Sequence, residues 1–336
     1  MQKQTKLVLP NIHAKSLMTG NFQRFKKCTL SHTWETTGWV ETMALSPDGT
    51  ILAYSEFDDW TFDDSGISVY DLKIGKAICY FDTGSSHFFA SLIVISSNNR
   101  NVFWNTGYAI VVGDIIAKKE IHTFQGDADS ITVSPDGQTL VCFSPKIAKI
   151  FDVETGETIS IITSPSKAEK FIATSSDGEI IISQLDNTIA LWDLRAGQQI
   201  HRLTITLRDL KTGKQLRSFK ALTKPVKSLT LSPNKQTLIT INSNDTITHW
   251  DIKSGEEINT FEWHWSINAI SSDSSVMITS GKDGIIIWDL STGKKLHVLP
   301  KDAANSLVIS ANKQTIAYTT PCGGYGGDIV KVWQAL

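Results

Sequence analysis

The stretch LWDLRAGQQIHRLTITLRDLKTGKQLRSF, residues 191–219, holds two near-copies of one unit. The first runs Leu191-Trp192-Asp193-Leu194 and reaches a turn at Ala196-Gly197; the second runs Leu207-Arg208-Asp209-Leu210 and turns at Thr212-Gly213. Each copy reads as a strand, a tight turn and a second strand, because short alternating runs flank a glycine. Asp193 and Asp209 stand 16 residues apart, whereas elsewhere in the chain the copies lie roughly forty apart.

Outward from this stretch the unit recurs as VYDLKIGKAICYF, IFDVETGETISII, HWDIKSGEEINTF and IWDLSTGKKLHVL, with VVGDIIAKKEIHTF as a degenerate copy and VKVWQAL as a final start. Asp71, Asp114, Asp152, Asp193, Asp251, Asp289 and Gln334 mark the regular positions, and Asp209 is the surplus one. Between them lies a second signature, two apolar runs joined by a turn of the Ser-Pro-Asp-Gly kind. Its turns are Ser46–Gly49, Ser96–Asn99, Ser134–Gly137, Ser175–Gly178, Ser232–Lys235, Ser271–Ser274 and Ser310–Lys313. Proline presets φ, and Asp, Asn and Gly favour turn conformations between strands. Each period therefore encodes four strands, a to d, as an antiparallel meander. A sheet that small cannot bury both faces alone and must stack on neighbours.

Four strands per period, these turns, and Trp-Asp at the end of strand c resemble the WD-repeat β-propellers, over about residues 24–336. The resemblance implies an all-β, seven-bladed β-propeller of four-stranded antiparallel blades over 23–336, with an N-terminal extension at 1–22. Seven a–b turns point to seven blades. No such turn fits between Asp193 and Asp209, so residues 204–219 are expected as an extra c–d hairpin on the outer edge of blade four. In this family the N-terminal strand commonly completes the last blade. Carried over here, residues 23–30 would pair beside 328–334 and remove an exposed edge.

The same resemblance assigns structural roles. Trp192, Trp250, Trp288, Trp333 and Tyr70 would pack between blades, and Asp186 with Trp192, Asp245 with Trp250 and Asp283 with Trp288 match the later part of the family's hydrogen-bonded tetrad. The Gly-His dipeptide that opens the family pattern is absent throughout.

The 336 residues are 41% hydrophobic, with 10 Trp and 14 Phe, enough for a large core. A formal charge of −2 gives no global reason to expect nucleic acid or an anionic membrane. Cys28, Cys79, Cys142 and Cys322 stand alone, without CxxC or Cys–His spacing, and read as thiols in a reducing compartment. The only apolar run near the start is Leu7–Leu9, too short for a signal peptide or a membrane span, so a soluble, cytoplasmic, monomeric chain is expected.

Nothing joins the abundant Ser, His and Asp into a catalytic motif: Gly-x-Ser-x-Gly, His-Glu-x-x-His and the phosphate-binding Gly-x-x-x-x-Gly-Lys-Ser/Thr are missing. CGGYGGD (Cys322–Asp328) is glycine-rich but precedes no helix, and EFDDWTFDDSG (Glu56–Gly66) lacks EF-hand spacing. No enzyme, cofactor or metal is expected. Function in a rigid propeller is set by loops. In this family the d–a and b–c loops share one face, and three long ones would meet there across the seam of blades seven and one. They are Ser31–Gly38 with Trp34, Glu56–Gly66 with Trp60 and Phe62, and Thr320–Gly327 with Tyr325. These aromatics beside Asp58, Asp59 and Asp63 form the expected docking patch for a protein partner. The alternative is an enzyme or small-ligand binder using the central channel or these loops, which convergent acids or histidines on the channel rim would favour. From Arg195 to Lys227 nine Lys/Arg face one acid, Asp209. Such charge protects an edge strand or meets an acidic protein; without interleaved stacking aromatics, nucleic acid is not expected.

Overall fold

The computed structural model describes residues 28–57, 65–83, 90, 92–126, 128–144, 146–163, 170–174, 180–185, 188–193, 198–203, 206–208, 215–218, 226–231, 237–242, 246–251, 256–262, 266–271, 275–281, 284–290, 292–300, 304–322 and 327–335. Every element among them is a strand. No helix of the described residues is long and apolar enough to cross a membrane.

The first strand is β1 (Cys28–Glu35). Meanders of four consecutive strands follow. The first holds β2 (Met43–Leu45), β3 (Ile51–Glu56), β4 (Gly66–Asp71) and β5 (Lys76–Asp82). The second holds β6 (Ile93–Ile95), β7 (Asn101–Asn105), β8 (Ala109–Asp114) and β9 (Lys119–Gln125). The third holds β10 (Ser130–Val133), β11 (Thr139–Phe143), β12 (Ile147–Asp152) and β13 (Thr158–Thr163). The fourth holds β14 (Lys170–Thr174), β15 (Ile180–Leu185), β16 (Thr188–Asp193) and β17 (Gln198–Leu203), and is followed by the pair β18 (Thr206–Arg208) and β19 (Gln215–Ser218). The fifth holds β20 (Val226–Leu231), β21 (Thr237–Asn242), β22 (Thr246–Asp251) and β23 (Glu257–Glu262). The sixth holds β24 (Ser266–Ile270), β25 (Val276–Gly281), β26 (Gly284–Asp289) and β27 (Lys294–Leu299). Last come β28 (Leu307–Ile309), β29 (Thr315–Pro321) and β30 (Asp328–Ala335). Six blades are thus continuous meanders, and a further four-stranded sheet is composite, in the order β1-β30-β29-β28.

The first strands of the sheets touch one another: β28 with β2, β2 with β6, β6 with β10, β14 with β20, and β24 with β28. The sheets therefore radiate from an axis lined by their first strands, and the composite sheet meets both the first and the last meander. This is an all-β propeller.

One correction concerns its closing edge. The closing strand is Cys28–Glu35, later than the 23–30 expected, and it takes in half of the anticipated Ser31–Gly38 loop. Its register, Trp34 opposite Val330 and Cys28 opposite Ala335, follows from Trp34, whose ring stacks on Tyr70 at 4.1 Å. The surplus pair β18–β19 forms a two-stranded sheet of its own. Its strand β18 approaches β17 and β16.

The repeated polar residues explain the turns. In the first of them Ser46 Oγ donates to Asp48 Oδ1 at 2.6 Å and accepts from Ile51 N–H at 2.9 Å. Ser96 with Asn98 (2.7 Å), Ser134 with Asp136 (2.5 Å) and Ser310 with Asn312 (2.6 Å) repeat it. The fourth residue of each turn takes a left-handed φ: Gly49 71°, Asn99 58°, Gly137 74° and Lys313 59°. These turns also link neighbours, since Asp48 accepts from Asn99 Nδ2 through its carboxylate (2.9 Å) and from Asn312 Nδ2 through its carbonyl (2.6 Å). The Asp ending each third strand caps the next turn: Asp71 accepts from Lys73 N–H, Asp114 from Ala117 N–H and Asp152 from Thr155 N–H.

The third-strand tryptophans share one geometry. Trp250 Nε1–H donates to Thr240 Oγ1 at 3.0 Å, Trp288 to Thr279 Oγ1 at 2.9 Å, and Trp333 to the Tyr318 hydroxyl at 3.2 Å. In each case the acceptor lies on the second strand, opposite the residue two before the Trp. The β6–β9 sheet departs from this: Gly113 holds the third-strand position, and Trp104 holds the acceptor position opposite Val111. Trp104 is 1% exposed, its ring 5.3 Å from Phe81, and fills the space that a third-strand aromatic would take. Trp192 lies on β16. Asp186, Asp245 and Asp283 lie outside the described residues, as do 1–22 and most of the basic 195–227 stretch.

Candidate functional site

An antiparallel meander puts its second turn and its exit to the next sheet at one end. At that end the composite sheet meets the β2–β5 sheet through residues 34–40, 54–57 and 327–328. Thr36 N–H donates to Asp328 O at 2.8 Å, and Asp328 N–H returns to Thr36 Oγ1 at 2.9 Å. Thr36 Oγ1 also donates to Gly38 O at 2.6 Å. Gly327 is enclosed by this clasp: a Cβ there would lie 2.4 Å from Thr36 O.

Asp328 is 1% exposed; its Oδ2 accepts from Val40 N–H at 2.9 Å and its Oδ1 has no partner. Burial raises its carboxyl above the usual range, with the Val40 bond opposing. A raised folded value means that the native state holds this proton more tightly. Asp328 therefore lowers stability as pH rises from its ordinary value of about 3.9 to the raised one, and the cost persists above it. Asp328→Asn keeps an acceptor for Val40 without the charge. Its melting temperature at pH 7 should equal or exceed wild type, and the pH dependence across that window should weaken. Asp328→Ala strands the Val40 N–H and should cost about 1–3 kcal/mol. Thermal melts of the three proteins from pH 4 to 8 check this, and a pH profile unchanged in Asp328→Asn would contradict it.

Trp34 is half-buried in the seam, where its Nε1–H donates to the Tyr54 hydroxyl at 3.2 Å. Burial first, and then the charge of Glu56, pushes the Tyr54 phenol up to about 12. Glu56 accepts from Ser68 Oγ at 2.5 Å. Trp60, Phe62, Asp58, Asp59, Asp63 and Tyr325 lie outside the described residues.

Sequence reading missed Trp39. It is 43% exposed and forms an isolated bridge with Phe57, through Trp39 N–H to Phe57 O (2.8 Å) and Phe57 N–H to Trp39 O (3.0 Å). This bridge closes the root of the acidic 58–64 segment. The signal was a fifth aromatic near the seam, one residue beyond the Ser31–Gly38 loop.

The innermost strands MAL, IVI, SITV, KFIAT, VKSLTL, SINAI and LVI carry no Asp, Glu, His or Cys. Glu41 and Asp129 are exposed just before β2 and β10, in sheets separated by β6–β9. Among the described residues no group of three or more His, Cys, Asp or Glu could hold a metal ion.

A radial set of four-stranded meanders with Trp-Asp closing the third strand is the arrangement that the resemblance to WD-repeat propellers implied. Residues 255–289, which run from β23 through β24 and β25 to the end of β26, match the family model described as WD domain, G-beta repeat. It is 26% identical over 151 residues to Mitochondrial division protein 1 of Saccharomyces cerevisiae, covering 36% of this chain and 21% of that protein. It is 23% identical over 178 residues to the Serine-threonine kinase receptor-associated protein of Gallus gallus, covering 44% and 51%. With Protein tipD of Dictyostelium discoideum it shares 23% over 224 residues, 63% of this chain and 33% of that protein. The chain thus spans between about a fifth and a half of the curated relatives it matches.

Proposed function

We propose that this WD-repeat propeller is a non-catalytic protein-interaction scaffold whose partner docks at the seam of the composite sheet and β2–β5. The observation that carries the reading is Trp39, exposed at the root of an acid-rich segment on the end of the ring where three connections converge. An aromatic anchor with a charged rim is the usual composition of a protein-docking patch. Trp34, Trp60, Phe62 and Tyr325 belong to the same patch in this reading, with Asp58, Asp59 and Asp63 as its rim. The acid-free first strands favour a platform over a channel enzyme. The six meanders and the composite sheet are read as seven blades of one ring, and β18–β19 as an accessory to the outer edge of the fourth. Contact of β14 with β20 supports that count, because it leaves no wedge between them. A cytoplasmic monomer is part of the proposal.

Quantitative affinity capture tests it. Trp39→Ala and the Trp60→Ala/Phe62→Ala pair should each lose the same partners, while Ile74→Ala, at an exposed turn on the opposite end, retains them. Equal recovery by all four proteins would overturn the assignment.

A further inference from the structure

An interblade cavity lies away from this seam. Between the β6–β9 and β10–β13 sheets a cavity of about 120 Å³ is lined by the buried Ile110, Phe124, Cys142 and Phe151 and by the more exposed Lys149 and Ile147. Among the described residues Lys149 is the only charged side chain in its lining, and its Nζ donates to Gln125 O at 3.2 Å. Directly across the β12–β13 ladder from Lys149 is Ile161, which is 57% exposed.

Most of the fourth strands carry a bulge, and the residue left over in it is apolar: Ile78 in β5, Ile121 in β9 and Ile159 in β13. Ile78 and Ile121 are half-buried, but Ile159 is 58% exposed. Ile161 and Ile147 flank Lys149 on the same face of the sheet, and β13 (TISIIT) holds no charge that would interrupt this apolar edge. At one end of this groove His122 Nε2 meets Glu154 O at 2.9 Å and ties the two sheets together. Toward the other end stands Tyr108, 85% exposed, its carbonyl held by Gly126 N–H at 2.8 Å.

We infer that this interblade groove binds a short extended peptide, with one apolar side chain entering the cavity and a neighbouring carboxylate meeting Lys149. The chemistry selects such an occupant. The cavity takes one large side chain, the apolar edge of Ile147 and Ile161 lies beside it, and the Lys149 ammonium favours an anion over a neutral or cationic group. A peptide with an acid beside a Leu or Phe meets all three demands together.

The test uses a displayed random heptapeptide library selected on the full chain, followed by fluorescence anisotropy with the selected peptides. The expected consensus places Asp or Glu within two residues of a large apolar residue. Ile161→Lys should weaken binding at least tenfold with an unchanged melting temperature, because the site is exposed. Lys149→Glu should weaken it similarly, and replacing the peptide acid by Lys should restore it on that variant. A selection that yields no binder, or peptides that bind Ile161→Lys as well as wild type, would overturn the inference. So would a wild-type dimer that Ile161→Lys dissociates, since the occupant would then be a second copy of the chain.

Discussion

Removing residues 1–35 should abolish cooperative unfolding and leave the protein aggregation-prone, whereas removing 1–27 should leave the melt close to that of the full chain. The longer truncation deletes all of β1, and with it the ladder from Cys28 opposite Ala335 to Glu35 opposite Ile329. Strand β30 then becomes an open edge bearing Val330, Val332 and Trp333, a ready template for pairing with another chain. Tyr70 and Tyr54 also lose the Trp34 indole. Trp34→Ala isolates that last part. Truncating a packed Trp costs about 3–5 kcal/mol when fully buried, so about 2–3 kcal/mol is expected for this half-buried one. Against a total stability of about 5–15 kcal/mol that is a large fraction. Thermal melts and light scattering on the two truncations and Trp34→Ala check the series. Equal melting of both truncations would mean that the ring does not depend on its first strand.

Much of this architecture was legible because its signals are local and repeated. The Ser-x-Asp/Asn turns and the Trp-Asp pairs recur in register, and each has a short-range cause: a hydroxyl that caps its own turn, or a carboxylate that receives the next backbone amides. The bounds of β1 were less legible. Alternation alone permits either register, and what selects Cys28–Glu35 is the contact of Trp34 with Tyr54 and Tyr70, 20 and 36 residues further on. The expected docking loops were named from their length, and Trp60, Phe62, Tyr325, Asp58, Asp59 and Asp63 lie outside the described residues. The bridge of Trp39 to Phe57 is a pairing that no spacing rule specifies. The interblade cavity was invisible in sequence, since it arises where two sheets diverge over residues that individually read as ordinary core.

The clearest case of a degenerate repeat with a physical explanation is the β6–β9 sheet, and it supports the second large effect. Read as a copy, VVGDIIAKKEIHTF lacks its aromatic. The structure supplies one from the adjacent strand, where Trp104 packs among Phe81, Ile67 and Val69 of the neighbouring sheet. Trp104→Ala should therefore cost about 3–5 kcal/mol, the range for emptying a fully buried aromatic site. Gly113→Ala should also destabilise, by about 1–3 kcal/mol, because the added Cβ would lie 2.6 Å from the Phe81 ring and 3.0 Å from Trp104. The two positions compete for one volume, so their effects should not add. Trp104→Thr combined with Gly113→Trp rebuilds the arrangement of Trp250 on Thr240, with the indole on the third strand and a hydroxyl acceptor on the second. The double variant should melt above either Trp104→Thr or Gly113→Trp alone. A double variant less stable than both singles would show that Trp104 is held by more than the vacancy at Gly113.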